Sequence, residues 1–308
     1  MLLLSTAIQM QLIGLSFYTH FKAPRSIVML SYRHSFHAGN FADVLKHLVL
    51  IKILEHLCKK DKAFSCIDTH SGPGDYVLNG DYALKNKEFE NGITQLWQRS
   101  DLPEDLNTYV KLIKKFNSTD TLVRYPGSPL ITQHYLRSKD HLSLYELHST
   151  EIELLKSAIN NDRRIHAFHA DGLSSAVALL PPKKHRGLVF IDPSYEIKSD
   201  YDLVIKSLIQ MHKRYATGIF ALWYPVINRK RNQHLEKALK KADIKNIQLF
   251  ELGIKEDSPE HGMTSSGMIV INPPWTLASD MQKTLPWLSN TLGIDGAGSY
   301  RIETLVAE

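Results

Sequence analysis

The sequence predicts an α/β protein built on a Rossmann-like, mostly parallel sheet of seven strands. Three observations predict it. Short apolar runs alternate with helix-patterned stretches along most of the chain, the rhythm of repeated βα units. Several of those runs end in or near an acid, at Asp68, Glu146, Asp171 and Asp192, the edge where open α/β sheets bind ligands. The first such run leads into a glycine turn, Ser71-Gly72-Pro73-Gly74. The composition suits the class: the chain has 308 residues, 43% hydrophobic and 22% charged, ordinary values for a globular protein. The formal charge of +5 permits a polyanionic partner without demanding one. The two cysteines, Cys58 and Cys66, fit neither a metal spacing nor a disulfide framework.

Residues 1–28 include Leu2-Leu3-Leu4 and Leu12-Ile13-Gly14-Leu15 but no basic stretch of the kind a signal peptide needs. Ser5, Thr6, Gln9 and Gln11 break the apolar run, so it is too short to span a bilayer. We read 1–28 as an extension ahead of Met29; an over-called start and a short docking helix are the two explanations. Ser31 to His47 then crowds rings and histidines (Tyr32, His34, His37) before turning helical. Asn40 is placed to cap the helix and Asp43 lies in its first turn. Val44, Leu45, Leu48, Val49 and Ile53 predict its apolar stripe. A surface loop would explain this stretch; a lip over a ligand, with Lys46 and His47 just inside the helix, explains its composition better.

Phe64–Asp68 is the first expected strand. The glycine turn behind it lacks both the three-glycine dinucleotide fingerprint and a Walker lysine, which favours a cofactor without a pyrophosphate. Residues 76–136 break the rhythm. Ile93, Leu96, Trp97, Leu106, Tyr109, Val110, Leu112, Ile113 and Phe116 recur at helical spacing, so 76–136 is expected to be an inserted helical subdomain. The sheet domain then comprises 29–75 and 137–308. Tyr125-Pro126-Gly127-Ser128-Pro129 reads as a rigid loop, with Ser128 a helix cap or a ligand contact. Further strands are expected at 142–147, 165–168, 188–191, 217–223, 247–252 and 267–271. An acid ending the second strand, Glu146, suits ribose hydroxyls; one after the third, Asp171, can pair with an adenine amino group. The last two strands, with no full helix between them, are expected to form an antiparallel edge.

Two strand ends carry nearly the same letters: Asp192-Pro193-Ser194-Tyr195 and Asn272-Pro273-Pro274-Trp275. Both approach the Asn/Asp-Pro-Pro-aromatic box of amino-group methyltransferases. Strand order selects the first, because the box belongs after the fourth strand, beside the cofactor turn where the sheet reverses. There Asp192 and the Pro193 carbonyl would accept hydrogen bonds from an exocyclic amine and help remove its proton. Tyr195 would stack on a base drawn out of its helix. Catalytic roles are therefore expected for Asp192, Pro193 and Tyr195. The prolines after Asn272 are expected to be structural.

In order along the chain, SYRHSFHAGNFADVLKH, DTHSGPG, YPGSP, the Glu146 strand, ADG at 170–172, IDPSY, GIFALWYP and GMIVINPPW resemble the RlmJ-type 23S ribosomal RNA adenine-N6-methyltransferases, from about Met29 to the C-terminus. The resemblance implies a class I methyltransferase fold with a helical insertion, S-adenosylmethionine as methyl donor and an adenine of 23S ribosomal RNA as target. It implies cofactor contacts at His47, His70, Ser128, Glu146, Asp171, Gly172 and Asp192, with Asp192 as proton acceptor. It also implies substrate contacts from the lip residues Tyr32, His34 and Lys46. No metal and no membrane are expected, and a cytoplasmic monomer is. Ser194 departs from the family, which usually has proline there. Methylation of DNA adenine or another amino group, and a non-catalytic RNA-binding factor weakened at Ser194, are the competing readings.

Overall fold

The computed structural model describes residues 34–197, 199–258, 260 and 262–308. Tyr32 and the extension 1–28 lie outside the described residues. The strands are β1 (Ser65–Asp68), β2 (Asp75–Val77), β3 (Arg124–Pro126), β4 (His141–Glu146), β5 (Ile165–His169), β6 (Gly187–Ile191), β7 (Ile219–Val226), β8 (Ile247–Gly253), β9 (Ser265–Ile271) and β10 (Ser299–Val306). The helices are α1 (Phe41–Cys58), α2 (Asp81–Asn86), α3 (Thr94–Trp97), α4 (Glu104–Lys114), α5 (Ser128–Tyr135), α6 (Ser149–Ala158), α7 (Gly172–Leu179), α8 (Asp200–Arg214), α9 (Arg229–Lys240) and α10 (Leu277–Leu292).

The main sheet has eight strands in the order β10-β8-β9-β7-β6-β1-β4-β5. Its order reverses between β1 and β6, where β1–β4–β5 run one way and β6–β7 the other, so a crevice opens at their carboxyl ends. β1 lies parallel to β4 with Asp68 opposite Leu144, and parallel to β6 with Asp68 opposite Phe190. Asp68, Glu146 and Asp192 therefore share one edge. β6 and β7 read as unbroken apolar runs because every one of their residues is buried, as parallel strands covered on both faces require. β9 pairs antiparallel with both β7 and β8, which is the antiparallel edge the short connection implied.

The expected seven strands are all present; the eighth, β10, pairs antiparallel with β8 at the rim and corrects the count. Its sequence, SYRIETLV, alternates polar and apolar residues, and most of it is half-buried or exposed. Arg301 and Glu303 fall between its apolar residues and leave no apolar run to detect. The three-residue strands of the small β2–β3 ribbon, with Asp75 opposite Pro126, are also too short to read. Between β1 and β4 the chain leaves the main sheet for that ribbon and for α2, α3 and α4.

α1 departs from the single stripe its sequence suggested, since 14 of its 18 residues are buried. A helix apolar on nearly all sides must be enclosed. Consequently its three early polar residues, Asp43, Lys46 and His47, are also inside, at 2% exposure or less, and must find partners there. Among the described residues, no helix is long and apolar enough to cross a membrane.

Candidate active site

The site grows from the carboxyl ends of β1 and β6 and from the first turns of α1. Asn40 caps α1 by accepting the Asp43 N–H at 3.0 Å. That fixes Asp43 one turn before Lys46, and Asp43 becomes a hub. Its carboxylate accepts from the Gly39 N–H at 2.8 Å, meets His34 Nε2 at 2.9 Å, and takes the Lys46 ammonium at 2.8 Å. The same ammonium donates to Asp192 Oδ2 at 2.6 Å, and it sits 5.4 Å over the Trp223 ring. Lys46 is thus shared by two carboxylates from residues far apart in sequence. Burial works against the charge on Asp43, but His34 and Lys46 hold its carboxyl well below the usual range. Burial likewise works against the Lys46 charge, and Asp192 and Asp43 more than offset it, raising its pKa.

Asp68 occupies the neighbouring strand end. Its Oδ2 accepts from the Ser128 hydroxyl at 2.7 Å and its Oδ1 from the His70 N–H at 3.2 Å. Those bonds do not compensate for its enclosure: burial pushes the carboxyl up to about 7, with Asp192 adding in the same direction. Ser128, the first residue of α5, thus spends its hydroxyl on Asp68 and is not the helix's side-chain cap. Burial also pushes the His70 imidazole down to about 4, opposed by Asp192 and Asp171.

The turn after β1 is shaped for close approach. Gly72 has φ +57°, and a Cβ there would stand 2.6 Å from the Tyr76 hydroxyl. Glu146 clamps this turn, accepting the Gly72 N–H at 2.8 Å and the His148 N–H at 2.6 Å. Gly172 has no room for a side chain either, because a Cβ would lie 2.0 Å from the Thr69 carbonyl oxygen. α7 can begin against the turn only with glycine there. Asp171 caps α7 through the Leu173 N–H at 3.1 Å while remaining exposed. One face of this cradle is thus backbone and the other is carboxylate, a set of hydrogen-bonding groups suited to a nucleoside.

The IDPSY turn is rigid. Tyr195 has φ +52°, is 7% exposed, donates its hydroxyl to the Trp223 carbonyl at 2.8 Å and packs 4.4 Å from the Tyr201 ring. Pro193 is buried. Ser194 is half-buried, and neither its N–H nor its hydroxyl bonds a described residue. His47 stands apart from the other candidates: its Nδ1 lies 2.7 Å from the Tyr125 hydroxyl, and burial pushes its imidazole down to about 3. Lys46 joins Asp192 to Asp43, which also holds His34; Asp68, His70 and Ser128 form a second group beside them.

Three residues escaped the sequence reading. Asp43 reads as an ordinary first-turn acid of a helix. Tyr125 was part of a stiff loop, and Trp223 part of an apolar strand. The one available signal was for Asp43, which stands three residues before Lys46 on a helix apolar enough to be enclosed. Among the described residues, no group of three or more His, Cys, Asp or Glu could hold a metal ion.

Residues 61–306 match the family described as ribosomal RNA large subunit methyltransferase D, RlmJ. The chain is 48% identical to the ribosomal RNA large subunit methyltransferase J of Haemophilus influenzae over 91% of its own length and all of that protein's. It is 47% identical to the protein of the same name from Escherichia coli K12, again over 91% of this chain and all of the other. The crystal structure of protein LPL1258 from Legionella pneumophila, 38% identical, superposes with a TM-score of 0.82 over 87% of this chain and 98% of that one. An α/β sheet with a glycine-turned cradle at its switch point, joined to these likenesses, leaves one conclusion: the chain belongs to the RlmJ family of ribosomal RNA large subunit methyltransferases.

Proposed function

We propose that this site moves a methyl group from S-adenosylmethionine to the N6 amine of an adenine in 23S ribosomal RNA. The observation that carries the reading is the position of Asp192, at the end of β6 beside the Asp68 end of β1, in a turn whose carbonyls and carboxylate can accept both amine hydrogens. The cradle fits the donor: Glu146 would take ribose hydroxyls, Asp171 and Gly172 the adenine end, and Ser128, His70 and His47 the methionyl end. Bound there, S-adenosylmethionine supplies an electrophilic methyl on a positively charged sulfur.

The protein's own residues do the rest. An adenine amine is a poor nucleophile because its lone pair is delocalised into the ring. Hydrogen bonds from both N–H groups, to Asp192 and to the Pro193 carbonyl, localise that pair toward the methyl group. As the new N–C bond forms, one amine proton passes to Asp192. Tyr195, pinned by Trp223 and Tyr201, would offer a stacked base a fixed wall. Lys46 now holds the carboxylate oxygen the amine needs. It can yield that oxygen cheaply because Asp43 keeps it, so no buried ammonium is stranded. On this reading His34 and Tyr32 belong to the substrate lip, residues 76–136 form the inserted subdomain, and the protein works as a cytoplasmic monomer without a metal.

The deciding assay incubates the full chain with labelled S-adenosylmethionine and unmodified 23S RNA, then digests the RNA to nucleosides. Label should appear in N6-methyladenosine. Cofactor binding without that product sinks the assignment.

A further inference from the structure

α4 and the ribbon strand β3 each supply one tyrosine to a hydroxyl chain that ends at His47. Tyr109 and Tyr125 are fully buried. Their hydroxyl oxygens are 2.9 Å apart, and that of Tyr125 is 2.7 Å from His47 Nδ1. The Tyr125 and His47 rings lie 5.5 Å apart and nearly parallel, at 28°.

We propose that Tyr109 and Tyr125 are positioning residues of the cofactor site: their hydroxyls form a one-way chain that holds His47 in the tautomer protonated on Nε2, so that it presents an N–H to the methionyl carboxylate of S-adenosylmethionine. The inference rests on the reading above that His47 faces the cofactor.

The direction of the chain follows from counting donors. A phenol has one proton to donate. Among the described residues, Tyr109's hydroxyl meets only that of Tyr125, so Tyr109 must donate to it or leave a buried donor unmet. Tyr125's own proton then has one acceptor within reach, His47 Nδ1. A nitrogen that accepts carries no proton, which puts the imidazole's single proton on Nε2. The ring stays neutral because burial depresses its basicity, so the two tautomers are true alternatives. They present opposite polarity to a ligand: an N–H seeks a carboxylate, a bare nitrogen seeks an ammonium. The wrong tautomer would set a lone pair against the carboxylate. Through this chain α4 and β3 act on the cofactor by way of His47, as outer partners fix the tautomer of a metal-bound histidine.

The test uses the full chain. Long-range proton–nitrogen correlation spectra should find His47 protonated on Nε2. Tyr125→Phe should give a mixture of tautomers and weaken the Kd for S-adenosylmethionine about three- to tenfold, with the KM for 23S RNA unchanged. Tyr109→Phe should act in the same direction and less. In a His47→Ala background Tyr125→Phe should add nothing to the loss of cofactor affinity. His47 protonated on Nδ1 in the parent protein overturns the proposal. So does a Tyr125→Phe variant that melts earlier but keeps parental affinity and tautomer, for that is a structural role alone. If His47→Ala binds the cofactor as the parent does, the placement of His47 at the cofactor is what fails. If His47→Ala weakens binding and Tyr125→Phe does not, only the chain fails.

Discussion

Asp192 and Asn272 each follow the last residue of an apolar strand, and each opens a proline turn toward an aromatic ring. Strand direction separates them. β6 runs parallel to β1 and delivers Asp192 to the crevice. β9 runs antiparallel to β7, with Ile271 opposite Phe220 at the beginning of β7, so Asn272 emerges at the opposite edge. There its amide donates to the carbonyls of Ala216 and Gly218, both at 2.8 Å, and Trp275 stands 82% exposed. At the first turn the polar group is a carboxylate sharing a buried ammonium with a second carboxylate, and the aromatic ring is enclosed. The motif that matches the family better by letters is a tie between loops; the poorer match is the one with a buried ammonium and a second carboxylate beside it. Side-chain pattern alone does not define a site; the strand that carries it and the charges that meet it do.

Substitutions can break this contrast, in descending order of effect. Asp192→Ala should lower methyl transfer to 23S RNA by about 10²- to 10⁴-fold, measured by labelled product, with little change in S-adenosylmethionine affinity by calorimetry. A variant retaining full turnover would move the chemistry elsewhere. Asp68→Asn probes the charge load of the same edge. The folded carboxyl titrates at about 7 against 3.8 for the free group, so between those values the folded state holds the extra proton and stability falls as pH rises. The deficit is complete above pH 7 and amounts to about 4 kcal/mol. Asp68→Asn should therefore raise the melting temperature at pH 8 and leave it nearly unchanged below pH 4. His47 and His70, depressed to about 3 and about 4, act with the opposite sign, since only their unfolded forms take protons as the medium falls below about 6.5. The parent-minus-variant difference isolates Asp68; equal melting shifts at both pH values would contradict its raised pKa.

At the opposite edge, Asn272→Ala should cost about 1–2 kcal/mol of stability through its two lost hydrogen bonds and leave turnover intact. Loss of activity in a folded Asn272→Ala protein would mean that the wrong turn was chosen. Ser194→Pro should have the smallest effect. Proline at 194 removes no backbone hydrogen bond to a described residue, so stability should stay within about 0.5 kcal/mol and turnover should hold or rise. A large fall in turnover would give the serine hydroxyl a task of its own.

What the residues announced in advance was what burial makes periodic or continuous. β6 and β7 are continuous apolar runs, β1, β4 and β5 are shorter ones mixed with polar residues, and the ends of β1, β4 and β6 mark the acids. β10 stayed hidden because Arg301 and Glu303 interrupt its apolar residues. The site was legible as a set of strand ends and a histidine-rich lip, and not as a network. Nothing in the sequence joins Lys46 to Asp192, because only the packing of α1 against the sheet brings an ammonium to that oxygen. Tyr109 read as core, and so it is; its ring fills α4's buried face while its hydroxyl does something else. Side chains with both an apolar body and a polar tip carry two meanings, and periodicity reports one.

The sharing of Lys46 has a last consequence, in conservation of charge. Asp43, Lys46 and Asp192 together carry one more negative than positive charge. On the proposed reading the donor's sulfonium arrives with the missing positive charge. When the methyl leaves, that charge leaves the sulfur with it, and the proton shed by the amine appears on Asp192 in its place. The enclosed region thus stays at one electrical balance from loaded donor to methylated base, and it resets only when the proton escapes.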